Sequence, residues 1–263
     1  MMQHKRKWIF FLPLLLIVIV TLIIFRHTPV NVYDGFENNH LSKYWSTERM
    51  EATSFQIQSA VTRKGKSAIK ITLHEGDMAE AQTEKDKATE RDELLESMQL
   101  YAVEDVKYEY KFSMFLPDSF PITSTRLIIA QWKQLCAHCA CSNYSPVLAI
   151  RYVSGKLCIT LQTEPAAKRD TLFIQQDEIR NRWLDFRFQI KFSQQKNGEV
   201  IAYLNDKEIV RYNGITSYAD NCYVLSTKNK YFFKMGLYRD KMTQPMCIFI
   251  DEYEKKELSE SNN

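Results

Sequence analysis

Polar and charged side chains recur at every second position in three short segments of this chain. In chain order they are Arg91 and Glu93, then Gln131 and Lys133, then Lys234 and Tyr238. Side chains two positions apart point to the same face of a β-strand. A guanidinium, an amide, ammonium groups and a phenol on neighbouring strands are suited to an anionic ligand such as a uronic acid chain. Taken singly, each pair is also what an ordinary solvated strand face contains.

Alternation of apolar and polar residues is the main structural pattern beyond residue 32, and it predicts half-buried strands. The pattern is strictest over 184–192, where Leu184, Phe186 and Phe188 share a face with Ile190 and Phe192. Further strands are predicted at 68–73, 108–116, 127–133, 147–153, 156–162, 200–204, 208–212, 231–238 and 247–253. Arg151, on the 147–153 strand, is a further candidate for substrate binding.

Short connections join these predicted strands, including a hairpin over 204–209. Many strands at short spacing, with no internal repeat, predict an all-β fold, namely a β jelly roll or concanavalin-like antiparallel sandwich. No linker rich in Pro, Gly or Ser divides the chain, so we expect one domain over 27–254 and a flexible tail over 255–263.

The N-terminal segment predicts one transmembrane helix ahead of this domain. An unbroken apolar run covers 8–25 and is preceded by Lys5, Arg6 and Lys7, with Arg26 behind it. Such a run approaches the ~20 residues that cross a hydrocarbon core, and the charge bias keeps the N-terminus cytoplasmic. We therefore expect a basic tail at 1–7, a signal-anchor at 8–26 and a domain in the periplasm or outside the cell. A cleaved signal peptide and a secreted protein is the alternative.

Charge excludes one class of partner. The formal net charge of +3 comes from the N-terminal segment, because 31 basic and 32 acidic residues remain beyond residue 26. A nearly neutral domain gives no case for nucleic acid binding. The expected partners are therefore an acidic polysaccharide and, through the N-terminal helix, a membrane.

The three polar segments, in this order and spacing, resemble the jelly-roll polysaccharide lyases, especially the heparin lyase I and glucuronan lyase group. Members of that group carry an Arg-x-Glu-Leu strand, a Gln-x-His strand and a late Tyr-x-Lys-x-Gly-x-Tyr strand. The resemblance spans roughly 32–253 and includes the initial Tyr33-Asp-Gly-Phe-Glu37 and the final Ile248-Phe-Ile-Asp251. Two positions depart from it, because Lys133 stands in place of the His and Phe232 in place of the first Tyr.

The resemblance implies cleavage of a uronate-containing polysaccharide by β-elimination, with no cofactor required. Arg91 and Gln131 would bind the uronate carboxylate, and Lys133 or Tyr238 would remove the C5 proton. Tyr238 would then protonate the leaving oxygen, while Glu93, Lys234 and Arg151 would bind substrate. Because the base position is altered, a non-catalytic glycan-binding or envelope protein is the alternative. A purely structural membrane-anchored domain is a third interpretation.

Six cysteines in an exported chain predict disulfides, although sequence alone leaves their pairing open. The candidates are Cys136, Cys139, Cys141, Cys158, Cys222 and Cys247. The first three surround His138, a set that zinc also favours. Structural zinc sites, however, normally join ligand pairs from two separate segments.

Carboxylates at the two ends of the domain predict a structural calcium ion. Asp34, Glu37 and Asp251 supply the hard oxygen ligands that calcium prefers, and they come from the first and last strands. Ion pairs or hydrogen bonds that brace the chain ends are the competing interpretation. A Glu-x-Asp-x-x-Glu strand, typical of sandwich-type glycoside hydrolases, is absent, so hydrolysis ranks below elimination.

Overall fold

Two antiparallel sheets form the domain in a computed structural model that describes residues 29–47, 50–51, 53–77, 88–135, 144–165, 168–220 and 228–259. A compact unit begins at Asn31. Sixteen strands and one short 3-10 helix, Met98–Leu100, lie within the described residues. The strands are β1 (Asn31–Asp34), β2 (Trp45–Ser46), β3 (Phe55–Gln58), β4 (Ala68–Leu73), β5 (Thr89–Glu96), β6 (Ala102–Val103), β7 (Lys107–Phe115), β8 (Leu127–Leu135), β9 (Leu148–Val153), β10 (Lys156–Leu161), β11 (Asp170–Ile174), β12 (Trp183–Lys191), β13 (Gly198–Leu204), β14 (Lys207–Gly214), β15 (Lys230–Asp240) and β16 (Met246–Glu257).

The strand order is that of a jelly-roll sandwich. The first sheet runs β14-β13-β12-β7-β16-β4-β3, with β1 paired to β16, and the second runs β11-β10-β9-β8-β15-β5-β2, with β6 paired to β15. All pairs are antiparallel, so the predicted all-β fold class is confirmed. The predicted hairpin is also present, since Asn205 and Asp206 adopt left-handed φ values of 49° and 62° between β13 and β14, as the favoured two-residue hairpin turns require.

Alternation in the sequence becomes the core between the sheets. On β12 every second residue from Leu184 to Ile190 is buried, as predicted. Trp132 of the second sheet lies 4.8 Å, between ring centroids, from both Phe188 and Phe233. Aromatic side chains bury large areas and prefer such tilted contacts. This cluster therefore fixes β8 and β15 against the first sheet.

A buried ion pair also links the sheets and corrects the predicted C-terminal boundary. Lys255 of β16 donates to Glu96 Oε1 of β5 at 2.7 Å, and neither side chain is exposed. The hydroxyl of Tyr253 donates to the same oxygen at 2.9 Å. The prediction of a flexible tail from residue 255 was wrong for its first three residues, because β16 continues to Glu257 and this carboxylate neutralises the inward-facing Lys255.

The predicted membrane anchor, 8–26, lies outside the described residues. From residue 29 onward, the described segments contain no helix that is long and apolar enough to cross a membrane.

Candidate active site

The three polar segments become adjacent strands of the second sheet. Arg91 of β5 is the register partner of Tyr238 on β15, and Tyr238 is in turn the partner of Ile128 on β8. The Arg91 guanidinium carbon lies 4.3 Å from the centroid of the Tyr238 ring. This cation–π contact places the two groups predicted to bind a carboxylate and to move a proton side by side.

Glu93 contacts both Gln131 and Arg91. Its Oε1 accepts a hydrogen bond from Gln131 Nε2 at 2.5 Å, and its Oε2 lies 3.5 Å from Arg91 Nε. The Glu93 side chain has no exposed surface, and its contacts in the structure are with Gln131 and Arg91. The substrate-binding role of Glu93 stays a prediction.

A glycine makes room for these contacts. Gly236 pairs with Glu93 and has a φ of 143°. A Cβ at this position would lie 2.3 Å from the carbonyl oxygen of Asp92 and 2.8 Å from the Cα of Glu93. Only glycine permits this close approach of two strands. The pairing of β15 with β8 also shifts between Met235 and Tyr238, which sets Tyr238 beside Ile128 rather than one position away.

The two lysines lie on the same face as Gln131. Lys234 is the register partner of Gln131, and Lys133 is the partner of Phe232. Lys234 is 4% exposed and its Nζ lies 5.6 Å from the centroid of the Phe232 ring. Tyr101 packs on the other side of this position, with its ring centroid 5.4 Å from that of Phe232. The predicted pairs thus share one face of the sheet.

Arg126 was missed by the sequence analysis. It precedes β8, and its guanidinium carbon lies 5.1 Å from the centroid of the Tyr238 ring while it also pairs with Asp240 at 2.5 Å. Tyr238 therefore contacts two guanidinium groups. Nothing in the local pattern indicated this, because Arg126 lies outside the alternating part of the strand.

Arg151 lies across the sheet from Arg91. It is the register partner of Ile128 and of Cys158 on β10, it is 5% exposed, and its Nε donates to Thr160 Oγ1 at 3.0 Å. Arg91, Arg126, Lys133, Arg151 and Lys234 are together called the basic face below. The alternating polar positions of β10 could have indicated Thr160, which the sequence analysis left out.

The three carboxylates predicted to bind calcium accept hydrogen bonds from neighbouring groups of the chain. Asp34 accepts hydrogen bonds from the Phe36 amide at 3.0 Å, the Ser42 hydroxyl at 2.6 Å and the Trp45 indole at 3.1 Å. Each oxygen of Asp34 thus has a donor. Among the described residues no group of three or more His, Cys, Asp or Glu side chains could hold a metal ion.

The other two predicted ligands are occupied in the same way. Glu37 accepts from the Lys66 amide, at 3.0 and 2.9 Å to its two oxygens. Asp251 accepts from the Arg63 amide at 2.7 Å and the Glu252 amide at 2.8 Å. Backbone amides are therefore the observed partners of these two carboxylates, as expected for side chains that brace the chain ends. The calcium site at Asp34, Glu37 and Asp251 stays a prediction.

Two of the six candidate disulfide cysteines are described, and both are free. Cys158 lies on β10 of the second sheet and Cys247 on β16 of the first. Burial raises the pKa of both thiols. The disulfide prediction was therefore wrong for these two cysteines, and their places on opposite sheets also keep them from pairing with each other. Cys136, Cys139, Cys141 and Cys222, and His138 with them, lie outside the described residues.

Solved structures with the same fold include several polysaccharide-degrading enzymes. An endo-β-1,4-glucuronan lyase from the fungus Trichoderma reesei superposes with a TM-score of 0.65 at 16% identity, over 86% of this chain and 94% of that one. A GH131 β-glucanase catalytic domain from Podospora anserina gives 0.59 at 12% identity, over 88% and 97%. Alginate lyase A1-II', of polysaccharide lyase family 7, gives 0.55 at 13% identity, over 84% and 86%. At these identities the likeness shows the fold alone.

Sequence comparison is more specific than the shared fold. No curated protein matches the chain by sequence. The profile of the family described as polysaccharide lyase, however, matches residues 36–254. This range contains the whole second sheet, all of the first sheet except β1 and the end of β16, and every residue of the basic face. It covers far more than half of the sequence. The chain therefore belongs to the polysaccharide lyase family.

Proposed function

We propose that this protein cleaves a uronate-containing polysaccharide by β-elimination. The observation that carries the proposal is the contact of Arg91 with Tyr238 across β5 and β15, together with Glu93, which links Arg91 to Gln131 on β8. A carboxylate-binding guanidinium, an amide and a phenol on one sheet face are the groups that elimination next to a carboxylate needs. Glucuronan and alginate lyases of the same fold support a uronate polymer as the substrate class.

In the proposed reaction a base removes the proton on C5, which is adjacent to the uronate carboxylate. The electron pair forms the C4–C5 double bond as the bond from C4 to the glycosidic oxygen breaks. Arg91 and Gln131 stabilise the negative charge that develops on the carboxylate, since charge-assisted hydrogen bonds are the strong ones. Tyr238 donates its hydroxyl proton to the leaving oxygen. Lys133 or Tyr238 is the base.

Hydrolysis is less well supported, although a β-glucanase shares the fold. Glycoside hydrolysis needs two carboxyl groups that flank the scissile bond. Next to Arg91, Gln131 and Tyr238 the structure offers Glu93, whose side chain is fully buried and engaged with Gln131 and Arg91. Asp240, the carboxylate beyond Tyr238, is held by Arg126. The described residues therefore favour elimination over hydrolysis.

A binding protein without catalysis is the second candidate, and Lys133 is the observation that favours it. A lysine ammonium has an unperturbed pKa near ~10.4, so it carries its proton at neutral pH unless its surroundings remove it. If Tyr238 does not act as the base in its place, the basic face would retain an acidic polymer without cleaving it.

The deciding experiment incubates the protein with a panel of uronate polymers and follows the ultraviolet absorbance of the unsaturated product. The wild type should produce it from at least one polymer. Tyr238→Phe should lower the rate by roughly 10²- to 10⁴-fold, the usual contribution of a general acid or base, with polymer affinity nearly unchanged.

Tyr203→Phe is the matched control, because Tyr203 also stacks on an arginine, Arg187, at 3.6 Å but on the first sheet. This variant should retain full activity. Polymer binding by the wild type with no unsaturated ends across the panel would instead assign the chain to the binding class.

We also propose that the domain works outside the cytoplasm, held by residues 8–26. The apolar run and its flanking basic residues support this location. A reporter fused after Asn263 should be active only in a form that works outside the cytoplasm, and cytoplasmic activity would contradict the proposal.

A further inference from the structure

Arg151 is a buried cation without a buried anion. Its side chain is 5% exposed, and its hydrogen bond goes to the neutral hydroxyl of Thr160. No carboxylate within the described residues forms an ion pair with it. Buried charges are normally paired, because removing an ion from water costs far more than a neutral hydrogen bond returns. This arrangement therefore leaves a charge to be compensated.

The surroundings of Arg151 increase the positive charge rather than offset it. Burial, and after it the proximity of Arg169 and Arg126, lowers the pKa of Arg151 to about 10, so the group remains charged at neutral pH. Arg169 is exposed and donates to the amide oxygen of Gln162 at 3.2 Å.

Strand register fixes where this charge lies relative to the reacting groups. One row of partners crosses the second sheet from Arg91 to Tyr238, Ile128, Arg151 and Cys158. Neighbouring strands are ~4.8 Å apart, so the backbones at Arg91 and Arg151 are separated by roughly 14 Å. Tyr238 lies between the two arginines. An anion bound at Arg151 is thus distinct from a carboxylate bound at Arg91, yet on the same face.

We propose that Arg151 is the centre of a second anion subsite, which binds an acidic group of the polymer on the β9–β10 side of Tyr238. The inference rests on the proposed function and narrows its substrate class to polymers that carry acidic groups on more than one sugar across the site. Carboxylate and sulfate share the required chemistry, since both accept paired hydrogen bonds from a guanidinium. Arg126 and Arg169 add long-range attraction at its edge.

The test measures binding of two probes by calorimetry, a hexamer of polyglucuronate, whose acidic groups are carboxylates alone, and a heparin hexamer, which carries sulfates in addition to carboxylates. Arg151→Gln should weaken the better-bound probe by roughly 10- to 100-fold, the range for a lost charge-assisted hydrogen bond. Arg187→Gln removes the same charge on the first sheet, where Arg187 stacks on Tyr203 and lies 3.9 Å from Glu109. This control should change affinity less than twofold. Equal affinities for wild type and Arg151→Gln would overturn the proposal.

Thermal unfolding separates ligand binding from a structural role. Without ligand, Arg151→Gln should unfold at the wild-type temperature or above it, because the substitution removes an uncompensated buried charge. The probe should raise the unfolding temperature of the wild type more than that of the variant. A variant that unfolds earlier and binds as well as the wild type would show a structural role and would overturn the subsite. Thr160→Val removes the hydroxyl that holds the Arg151 guanidinium in place. This variant should also weaken binding, but by a smaller factor.

The outcomes distinguish this inference from the proposed function. Arg151-dependent binding without unsaturated product keeps the subsite and refutes the lyase. Product formation with binding that does not depend on Arg151 keeps the lyase and refutes the subsite. Failure of the wild type to bind either hexamer would refute the subsite directly.

Discussion

The two sheets present outer faces that look alike in sequence and differ in charge. On the first sheet, which we call the alternating face, Glu109 lies 3.3 Å from Lys111 and 3.0 Å from Lys256, and Lys111 lies 3.1 Å from Glu254. Opposite charges across strands stabilise a sheet in water. On the basic face, Arg151 has no such partner among the described residues, and Arg91 shares its carboxylate, Glu93, with Gln131.

This difference separates a solvated surface from a binding surface. Both faces place charged side chains at every second position, so the alternation itself carries no functional information. The pairing of those charges does carry such information, because a face that neutralises its own charges has little to offer an anion, whereas a buried cation without a carboxylate, such as Arg151, attracts one.

Arg91→Ala on the basic face should lower kcat/KM by roughly 10- to 100-fold. The substitution removes a guanidinium that binds the uronate carboxylate in both the ground state and the transition state. Lys111→Ala removes a positive charge from the alternating face and should leave the rate within twofold. Steady-state kinetics on the best polymer of the panel checks both. Equal losses would mean that only net charge matters.

Ionic strength should weaken polymer binding several-fold between low and physiological salt, since salt screens the attraction between the polymer and the basic face. Arg151→Gln should reduce this dependence, and Lys111→Ala should not. Calorimetric titrations at a series of salt concentrations provide the comparison. A salt dependence shared by all three proteins would place the attraction elsewhere.

Two free thiols report on the two faces. Cys158 is the register partner of Arg151, whereas Cys247 lies on β16 of the other sheet. A bound uronate hexamer should slow alkylation of Cys158 several-fold and leave Cys247 unchanged, because only the first thiol adjoins the proposed subsite. Peptide mass spectrometry after timed alkylation resolves the two sites. Protection of Cys247 alone would place the polymer on the wrong sheet.

Asp92 lies between the sheets rather than on either outer face, and its titration should make the stability of the protein depend on pH. It is 1% exposed, and burial, with the nearby Asp77 carboxylate, raises its pKa from 3.8 to about 7. Its folded form holds the proton more tightly than its unfolded form. The contribution of Asp92 to the free energy of unfolding should therefore be largest below pH 4 and should fall as the pH rises to 7.

Asp92→Asn should remove that part of the slope and stabilise the protein at pH 8. A gain of about 1–2 kcal/mol corresponds to roughly 2–8 °C in Tm for a domain of this size. Thermal unfolding at pH 5 and pH 8 checks it, with the exposed Asp118→Asn as control. An unchanged slope would show that Asp92 is not the source.

Several features of the site were determined by the sequence itself. Period-two alternation was sufficient to place Gln131 with Lys133, and Lys234 with Tyr238, because side chains two apart must share a strand face. It also predicted β4 with both ends correct and the hairpin between β13 and β14. The order of the three polar segments indicated the family to which the chain belongs.

Other features depend on which strands are neighbours, and the tertiary structure alone decided them. The contact of Arg126 with Tyr238, the burial of Glu93 and the lack of a carboxylate at Arg151 all arise across strands that are far apart in the chain. Lys255 looked like part of a tail until Glu96, 159 residues earlier, proved to be its partner. The local sequence around a charged residue does not show whether an oppositely charged side chain faces it. Strand register and sheet order decide which side chains face each other, and these depend on packing of the whole sandwich rather than on local sequence.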